Sequence, residues 1–188
     1  MVGIGTTERV LTEIIVTATN AELEALKARY QEKFDRPLID HIHSEVSGDY
    51  RNFLILCLAG QRLETSAPDA ALAEQQAQSL RQAAQGWGTN EDVFVQILGK
   101  SSVEQVDLIE KSYESQFGKS LKAEIKGEMG GDLEWAMLLR LESEIDAQCW
   151  LLRYAMDGIG TDEDIIARVL GGAEKEMLMK IHKRYDEK

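Results

Sequence analysis

One short motif occurs three times in this chain and constrains its fold more than any other feature. Gly-x-Gly-Thr ends at Thr6, Thr89 and Thr161, within MVGIGTTERVLTEII, AQGWGTNEDVFVQIL and MDGIGTDEDIIARVL. Apolar residues follow each threonine four, five, eight and nine positions later, the spacing of one helical face. Agreement at so many offsets indicates an internal repeat, whose units stack on one another to bury their apolar faces.

The apolar offsets predict two consecutive amphipathic helices after each glycine loop. The first helix of each repeat would bury Val10, Leu11, Ile14 and Ile15, then Val93, Phe94, Ile97 and Leu98, then Ile165, Ile166, Val169 and Leu170. The second would bury Leu23, Leu26, Tyr30 and Phe34, then Val106, Ile109, Tyr113 and Phe117, then Leu178, Ile181 and Tyr185. Only two prolines occur, and helix-forming residues are plentiful.

Further helices complete the repeat. We predict them at residues 38–46, 49–59, 70–84, 121–129, 132–141 and 144–156. Thr89 with Asp92 and Thr161 with Asp164 resemble capping boxes, and Ser102 with Gln105 forms one. The fold is therefore predicted to be all-α, with about two and a half repeats of five helices. The predicted domains are residues 1–66, lacking the first helix of a repeat; 67–142, a complete repeat; and 143–188, ending within a third helix.

A glycine loop that opens a helix can cradle a phosphate, hold a metal through carbonyl oxygens, or simply turn the chain. The phosphate motifs fail on specifics, because no Gly-Lys-Ser/Thr follows the loops and no strand precedes a G-x-G-x-x-G. An EF-hand needs alternating Asp or Asn around a central Gly, which DGIGTDED lacks. No Ser-His-Asp or Cys-His arrangement stands out, so we expect no enzyme.

A carboxylate keeps register with the glycine loops. Glu45 stands 39 positions after Thr6, and Glu128 stands 39 positions after Thr89. The corresponding position after Thr161 would be residue 200, beyond this chain. Glycines let a loop turn several carbonyl oxygens toward one point, and carbonyls with one carboxylate suit Ca²⁺ better than Mg²⁺. The sequence thus favours a calcium site.

The charge balance limits the partners. A formal net charge of −12 argues against nucleic acid and against direct binding to anionic lipid. Bound Ca²⁺ with open coordination positions would bridge this acidic protein to acidic phospholipid. Cys57 and Cys149 are predicted to be buried free thiols, which suits a reducing compartment. No signal peptide or membrane span is apparent, so we expect a cytoplasmic protein that is peripheral to membranes when calcium is present.

The chain closely resembles the annexin family over essentially its whole length. The Gly-x-Gly-Thr loops, the spacing to Glu45 and Glu128, and the segment SEVSGDYRNFLILCLAG carry the resemblance. The resemblance implies five-helix repeats that bind acidic phospholipid through Ca²⁺ on a convex face. The long linker around Pro68 and the Trp in the next loop place this chain over most of the family's second repeat, all of the third and the start of the fourth. Bare apolar faces at the terminal repeats favour a longer protein or self-association.

The resemblance also implies a set of ligands and lipid contacts. The first site would use backbone oxygens of Met1, Gly3 and Gly5 with the Glu45 carboxylate, and the second those of Ala84, Gly86 and Gly88 with Glu128. The third loop offers Met156, Gly158 and Gly160 without its acid. Because Met1 is terminal, we expect the first site to be weaker than the second. Trp87, between two glycines, is predicted to contact the membrane interface, with Ile4 and Ile159 in the same loop position.

The alternative is a structural or cytoskeletal scaffold that uses these repeats for protein contacts and binds calcium incidentally. Two acids in register with two loops speak against it, since packing requires no acid there. A thermal melt with and without millimolar Ca²⁺ separates the two interpretations, because a ligand at 100 times its Kd stabilises a protein by roughly 2.7 kcal/mol.

Overall fold

The computed structural model describes residues 8–64, 66–85, 88–157 and 160–187. Over these residues the regular secondary structure is all helical, with twelve helices and no strand, as predicted. The helices are α1 Glu8–Thr17, α2 Asn20–Phe34, α3 Leu38–Glu45, α4 Gly48–Leu58, α5 Ala70–Ala84, α6 Glu91–Lys100, α7 Val103–Phe117, α8 Leu121–Glu128, α9 Gly131–Arg140, α10 Glu144–Met156, α11 Glu163–Gly172 and α12 Lys175–Asp186.

The repeat predicted from the glycine motifs recurs in the helix boundaries. Residues 8–17, 20–34 and 38–45 reappear 83 positions later as 91–100, 103–117 and 121–128. Helix α6, at 91–100, reappears 72 positions later as α11, at 163–172. The limits of the three domains proposed from sequence stay a prediction.

The chain divides into two compact units, Met1–Leu141 and Glu142–Lys188. Within the first, α5 packs along α7, α4 along α6 and α1 along α9. Its interior is built from large side chains with almost no solvent exposure, among them Tyr113, Phe53, Phe94, Ile15 and Leu23. Within the second, α10 packs against both α11 and α12, and Cys149, Leu151 and Ile181 are buried. Cys57 and Cys149 are both buried free thiols, as predicted.

The predicted apolar faces are correct at their centres and wrong at four positions. Phe94, Leu98, Val106 and Ile109 are buried. The exceptions are exposed by 36–55%: Ile14, Phe34, Leu170 and Tyr185.

In α1, Ile14 is exposed because two polar residues occupy the buried face of the helix. Thr12 and Glu13 are buried in the place where an apolar pattern expects Ile14. The Thr12 hydroxyl shares a 2.9 Å hydrogen bond with the Tyr50 hydroxyl, which satisfies a polar group inside the core. The buried stripe of α1 is therefore rotated from the one that hydrophobicity alone predicts.

Candidate functional site

The second glycine loop connects α5 to α6 and is closed by its own backbone. The Gln85 amide donates to the Gln82 carbonyl at 3.2 Å, and the Asn90 amide donates to the Ala83 carbonyl at 2.9 Å. Gly88 has a φ of +92°, which residues with a side chain rarely adopt. These bonds fix the segment that starts at Ala84, one of the predicted ligands.

The third loop, between α10 and α11, repeats this geometry. The Asp157 amide donates to the Tyr154 carbonyl at 3.3 Å, and the Asp162 amide donates to the Ala155 carbonyl at 2.8 Å. Gly160 has a φ of +102°. The described ends of the second and third loops therefore share the same two hydrogen bonds and a glycine with positive φ.

The second loop meets the acid that the sequence singled out. Thr89 Oγ1 donates to Glu128 Oε2 at 3.0 Å and lies 3.4 Å from the Glu128 carbonyl oxygen. Glu128 is the last residue of α8, so its carboxylate projects from a helix end toward the threonine that closes Gly-x-Gly-Thr. The structure thus brings together residues 39 positions apart in the sequence.

The capping boxes predicted for Thr89 and Thr161 are wrong. The N-cap of α6 is Asn90, which makes no side-chain capping bond, and the N-cap of α11 is Asp162, whose carboxylate accepts from the Ile165 amide at 3.1 Å. The Thr89 hydroxyl is engaged by Glu128 instead. By contrast, Ser102 caps α7 through the Gln105 amide, as predicted.

Glu45 ends α3 in the same way that Glu128 ends α8. Its carboxylate lies 3.7 Å from His41 Nε2, one turn earlier on the same helix. The other ring nitrogen of His41 is hydrogen-bonded to the Tyr30 hydroxyl on α2. This contact orients the imidazole beside the acid, so His41 is part of the surroundings of Glu45.

Glu45 and Glu128 line one cavity of about 440 Å³. Four further carboxylates line it, as two pairs separated by the 83-residue repeat: Glu8 and Glu91, Asp49 and Asp132. Among the residues that the structure describes, no three His, Cys, Asp or Glu side chains form a metal-binding group. A cation held here would therefore need backbone oxygens as well as a carboxylate, which is the donor set that the glycine loops offer.

The third loop borders its own cavity of about 490 Å³. Its acidic lining comes from Asp157, Asp162, Glu163 and Asp164, with Gly160 and Thr161. Met156, the predicted ligand at the end of α10, is 48% exposed.

Sequence reasoning missed a buried charge cluster beside the second loop. Glu124 on α8 has a side chain only 3% exposed, and its Oε2 lies 3.0 Å from both Arg81 Nη1 and Lys119 Nζ. Burial works to raise the pKa of the Glu124 carboxyl, but the hydrogen bond from Lys119 and the charges of Lys119 and Arg81 outweigh it and hold that pKa below its ordinary value. A charged residue among the apolar positions of α8 signals a partner, but the sequence does not say that the partner is on α5.

Several predicted site residues lie outside the described residues. They are Met1, Gly3, Ile4 and Gly5 of the first loop, Gly86 and Trp87 of the second, and Gly158 and Ile159 of the third. In the ranges that the structure does describe, no helix is both long and apolar enough to cross a bilayer.

The helices and acid-lined glycine loops define the class: an all-helical repeat protein. The family model described as Annexin matches residues 1–57 and 75–139. Mouse annexin A13 is 35% identical over 192 residues, which covers 100% of this chain and 61% of that protein. Human annexin A5 is 35% identical over 187 residues, which covers 97% of this chain and 58% of that protein. The solved structure of annexin III matches with a TM-score of 0.92 and 33% identity, over 100% of this chain and 59% of that one.

This chain belongs to the annexin family. It spans about three fifths of the length of these relatives. Calcium-dependent binding to phospholipid is a general property of annexins, which are in general soluble, non-enzymatic proteins that associate with membranes peripherally.

Proposed function

We propose that this chain binds acidic phospholipid surfaces through Ca²⁺ held between a glycine loop and the carboxylate at the end of a nearby helix. The observation that carries the proposal is the contact between Thr89 and Glu128, at 3.0 Å. It puts a carboxylate at the loop whose backbone oxygens are the other candidate ligands, those of Ala84, Gly86 and Gly88.

The chemistry of this donor set fits Ca²⁺. One carboxylate and a few carbonyls are hard oxygen ligands, and Ca²⁺ accepts 6–8 such oxygens in flexible geometry at about 2.3–2.6 Å. Mg²⁺ prefers a strict octahedron and keeps its waters. The loop and the acid cannot fill the coordination shell of Ca²⁺, so positions are left for water or for a phosphate oxygen of lipid.

The charge of the protein makes the cation necessary for this function. With a net charge of −12 and six carboxylates around the cavity at Glu45 and Glu128, the protein repels an anionic surface. Ca²⁺ at the loops reduces the local negative charge and supplies a bond to phosphate. Removing Ca²⁺ restores the repulsion and releases the protein.

The first loop would form an equivalent site with Glu45, and the third loop supplies backbone oxygens alone. Lipid contact would come from the residues between the glycines: Trp87, Ile4 and Ile159. The protein would reside in the cytoplasm, associate with membranes only when Ca²⁺ is present, and catalyse no reaction.

Cosedimentation with phosphatidylserine vesicles tests the proposal. The chain is expected to pellet with vesicles in Ca²⁺ and to stay in the supernatant in chelator. Glu128→Gln should raise the Ca²⁺ concentration needed for pelleting, while Glu114→Gln, a matched change in α7 away from the loops, should not. Equal pelleting with Ca²⁺ and with chelator, or none in either, would overturn the proposal.

A further inference from the structure

We propose that the ion pair between Arg81 and Glu124 positions the second calcium loop against its acid. The inference rests on the proposed function, since it concerns how that site is held in register. Neither residue is a ligand candidate. Each acts through the ligand-bearing segment one helical turn away.

The pair joins the two elements that supply the ligands. Arg81 lies on α5, three residues before Ala84, where the glycine loop begins. Glu124 lies on α8, four residues before Glu128. At 1.5 Å per residue, the backbone of each charged residue lies only about 4.5–6 Å along the helix from the position it would control. A bond between Arg81 and Glu124 therefore sets the distance between the loop and the carboxylate.

The pair is well placed to resist movement. The Arg81 guanidinium carbon lies 5.8 Å from the centre of the Phe117 ring, so α7 supports the side chain from one side. The Glu124 side chain is 3% exposed, and the Arg81 side chain is 32% exposed. Without Arg81, Glu124 would keep its contact with Lys119 in the turn before its own helix but would lose its ion pair to α5. The ion pair thus restrains the position of α8 relative to α5.

A comparison of Arg81 with Lys119 distinguishes the positioning role from simple charge compensation. Its Nζ lies 3.0 Å from the same Glu124 oxygen, but Lys119 stands in the turn directly before α8, whereas Arg81 stands on α5. Both cations neutralise Glu124. Only Arg81 connects it to the helix that leads into the loop.

The first repeat has a different residue at the position equivalent to Glu124. The residue 83 positions before Glu124 is His41, which bonds Tyr30, the counterpart of Tyr113. His41 is neutral or positive, so it cannot pair with an arginine as Glu124 does. The ion pair between Arg81 and Glu124 therefore distinguishes the second loop from the first.

Three variants of the full chain test the inference by calorimetric Ca²⁺ titration: Arg81→Met, Lys119→Met and Glu128→Gln. Loss of a group that orients a metal ligand typically lowers affinity 10–100-fold. Arg81→Met is therefore expected to weaken Ca²⁺ binding at the second loop about tenfold, and Lys119→Met by less than about threefold. In chelator, hydrogen exchange of the α8 amides should rise in Arg81→Met more than in Lys119→Met, a readout that needs no metal.

The outcomes are distinguishable. Equal weakening by Arg81→Met and Lys119→Met would show that charge compensation alone matters, and would overturn the inference. Unchanged affinity in Arg81→Met, with Glu128→Gln still weakened, would overturn the inference while leaving the proposed function standing. A wild-type chain that takes up no Ca²⁺ would overturn both. If Arg81→Met does not fold, Arg81→Gln replaces it, with the same expected order.

Discussion

Thr89 and Glu128 lie 39 positions apart in the sequence and 3.0 Å apart in the structure, where the threonine hydroxyl donates to the carboxylate. The hydroxyl makes this bond instead of capping α6, whose N-cap, Asn90, makes no side-chain bond. A group that would ordinarily stabilise a helix start is thus used to hold an acid at a loop.

Thr89→Val is expected to weaken Ca²⁺ binding at the second loop about tenfold, because the acid loses the donor that orients it. Thr89→Ser keeps the hydroxyl and should stay close to wild type. Thr161→Val is the matched control, since the acid position of the third loop lies beyond this chain. Calorimetric titration of the four proteins with Ca²⁺ measures the effect, and equal affinity in Thr89→Val and Thr89→Ser would contradict it.

Arg140→Met should destabilise the first compact unit by about 3–6 kcal/mol. Arg140 is buried and donates to the Leu98 carbonyl at 3.1 Å and to the Ser101 carbonyl, at the end of α6. Each hydrogen bond from a charged group contributes about 1.5–3 kcal/mol, and the substitution leaves two carbonyls without a donor. Burial, with the neighbouring Arg62, lowers the pKa of Arg140 to about 10, so the charged side chain depends on those carbonyls.

Urea unfolding measures this loss. Arg29→Met, which removes an exposed pair with Glu32, is the control and should change the free energy of unfolding by less than about 1 kcal/mol. Similar midpoints for the two variants would rule out the role assigned to Arg140.

Phe94→Ala should cost about 3–5 kcal/mol of unfolding free energy, because Phe94 is completely buried on α6 and the truncation leaves a cavity. Phe34→Ala is the comparison. Phe34 is 55% exposed, and its ring meets Tyr30 in a tilted arrangement and Lys33 at the surface, so its loss should cost about 1 kcal/mol or less. Thermal unfolding of both variants in chelator checks the order, and a larger loss for Phe34→Ala would refute the packing described for α6.

The stability of the chain should fall in strong alkali because of Tyr50. Burial raises the pKa of Tyr50 to about 12, from an ordinary value near 10. Between these values the unfolded chain has released a proton that the folded chain still holds, so the free energy of unfolding decreases as the pH rises through this window. Below about pH 10 the contribution is fully present.

Tyr50→Phe removes this contribution and should reduce the slope of unfolding free energy against pH between about 10 and 12. Part of the slope should remain, since burial also raises the pKa of Tyr113 to about 12. Urea unfolding at several alkaline pH values gives the comparison, and an unchanged slope in Tyr50→Phe would contradict the prediction.

Sequence periodicity was sufficient to predict helix type and most boundaries. Ala70–Ala84 and Glu144–Met156 match the expectation residue for residue, because apolar spacing and capping residues are local signals. The caps at Thr89 and Thr161 failed for the same local reason, because α6 and α11 each begin one residue later than expected, with Asn90 and Asp162 as their N-caps. The bond from Thr89 to Glu128 is a separate, nonlocal contact that helix periodicity does not predict.

The spacing in the sequence pointed to the contact between the second loop and Glu128, but it did not predict the residues that support it. Equal spacing from Thr6 to Glu45 and from Thr89 to Glu128 singled out the acids without any structure. The pairing of Arg81 with Glu124 joins helices 43 positions apart, and no periodic pattern encodes which cation reaches a given buried carboxylate.

Glu45 and Glu128 end two helices that lie 83 positions apart in the sequence, yet both carboxylates line one cavity. A change of charge in either repeat therefore alters the potential in a space that both repeats share. The Asp132 carboxylate of the later repeat already contributes to raising the pKa of Tyr50 in the earlier one. The two repeats are thus electrostatically linked, and a charge substitution in one should be measured in both.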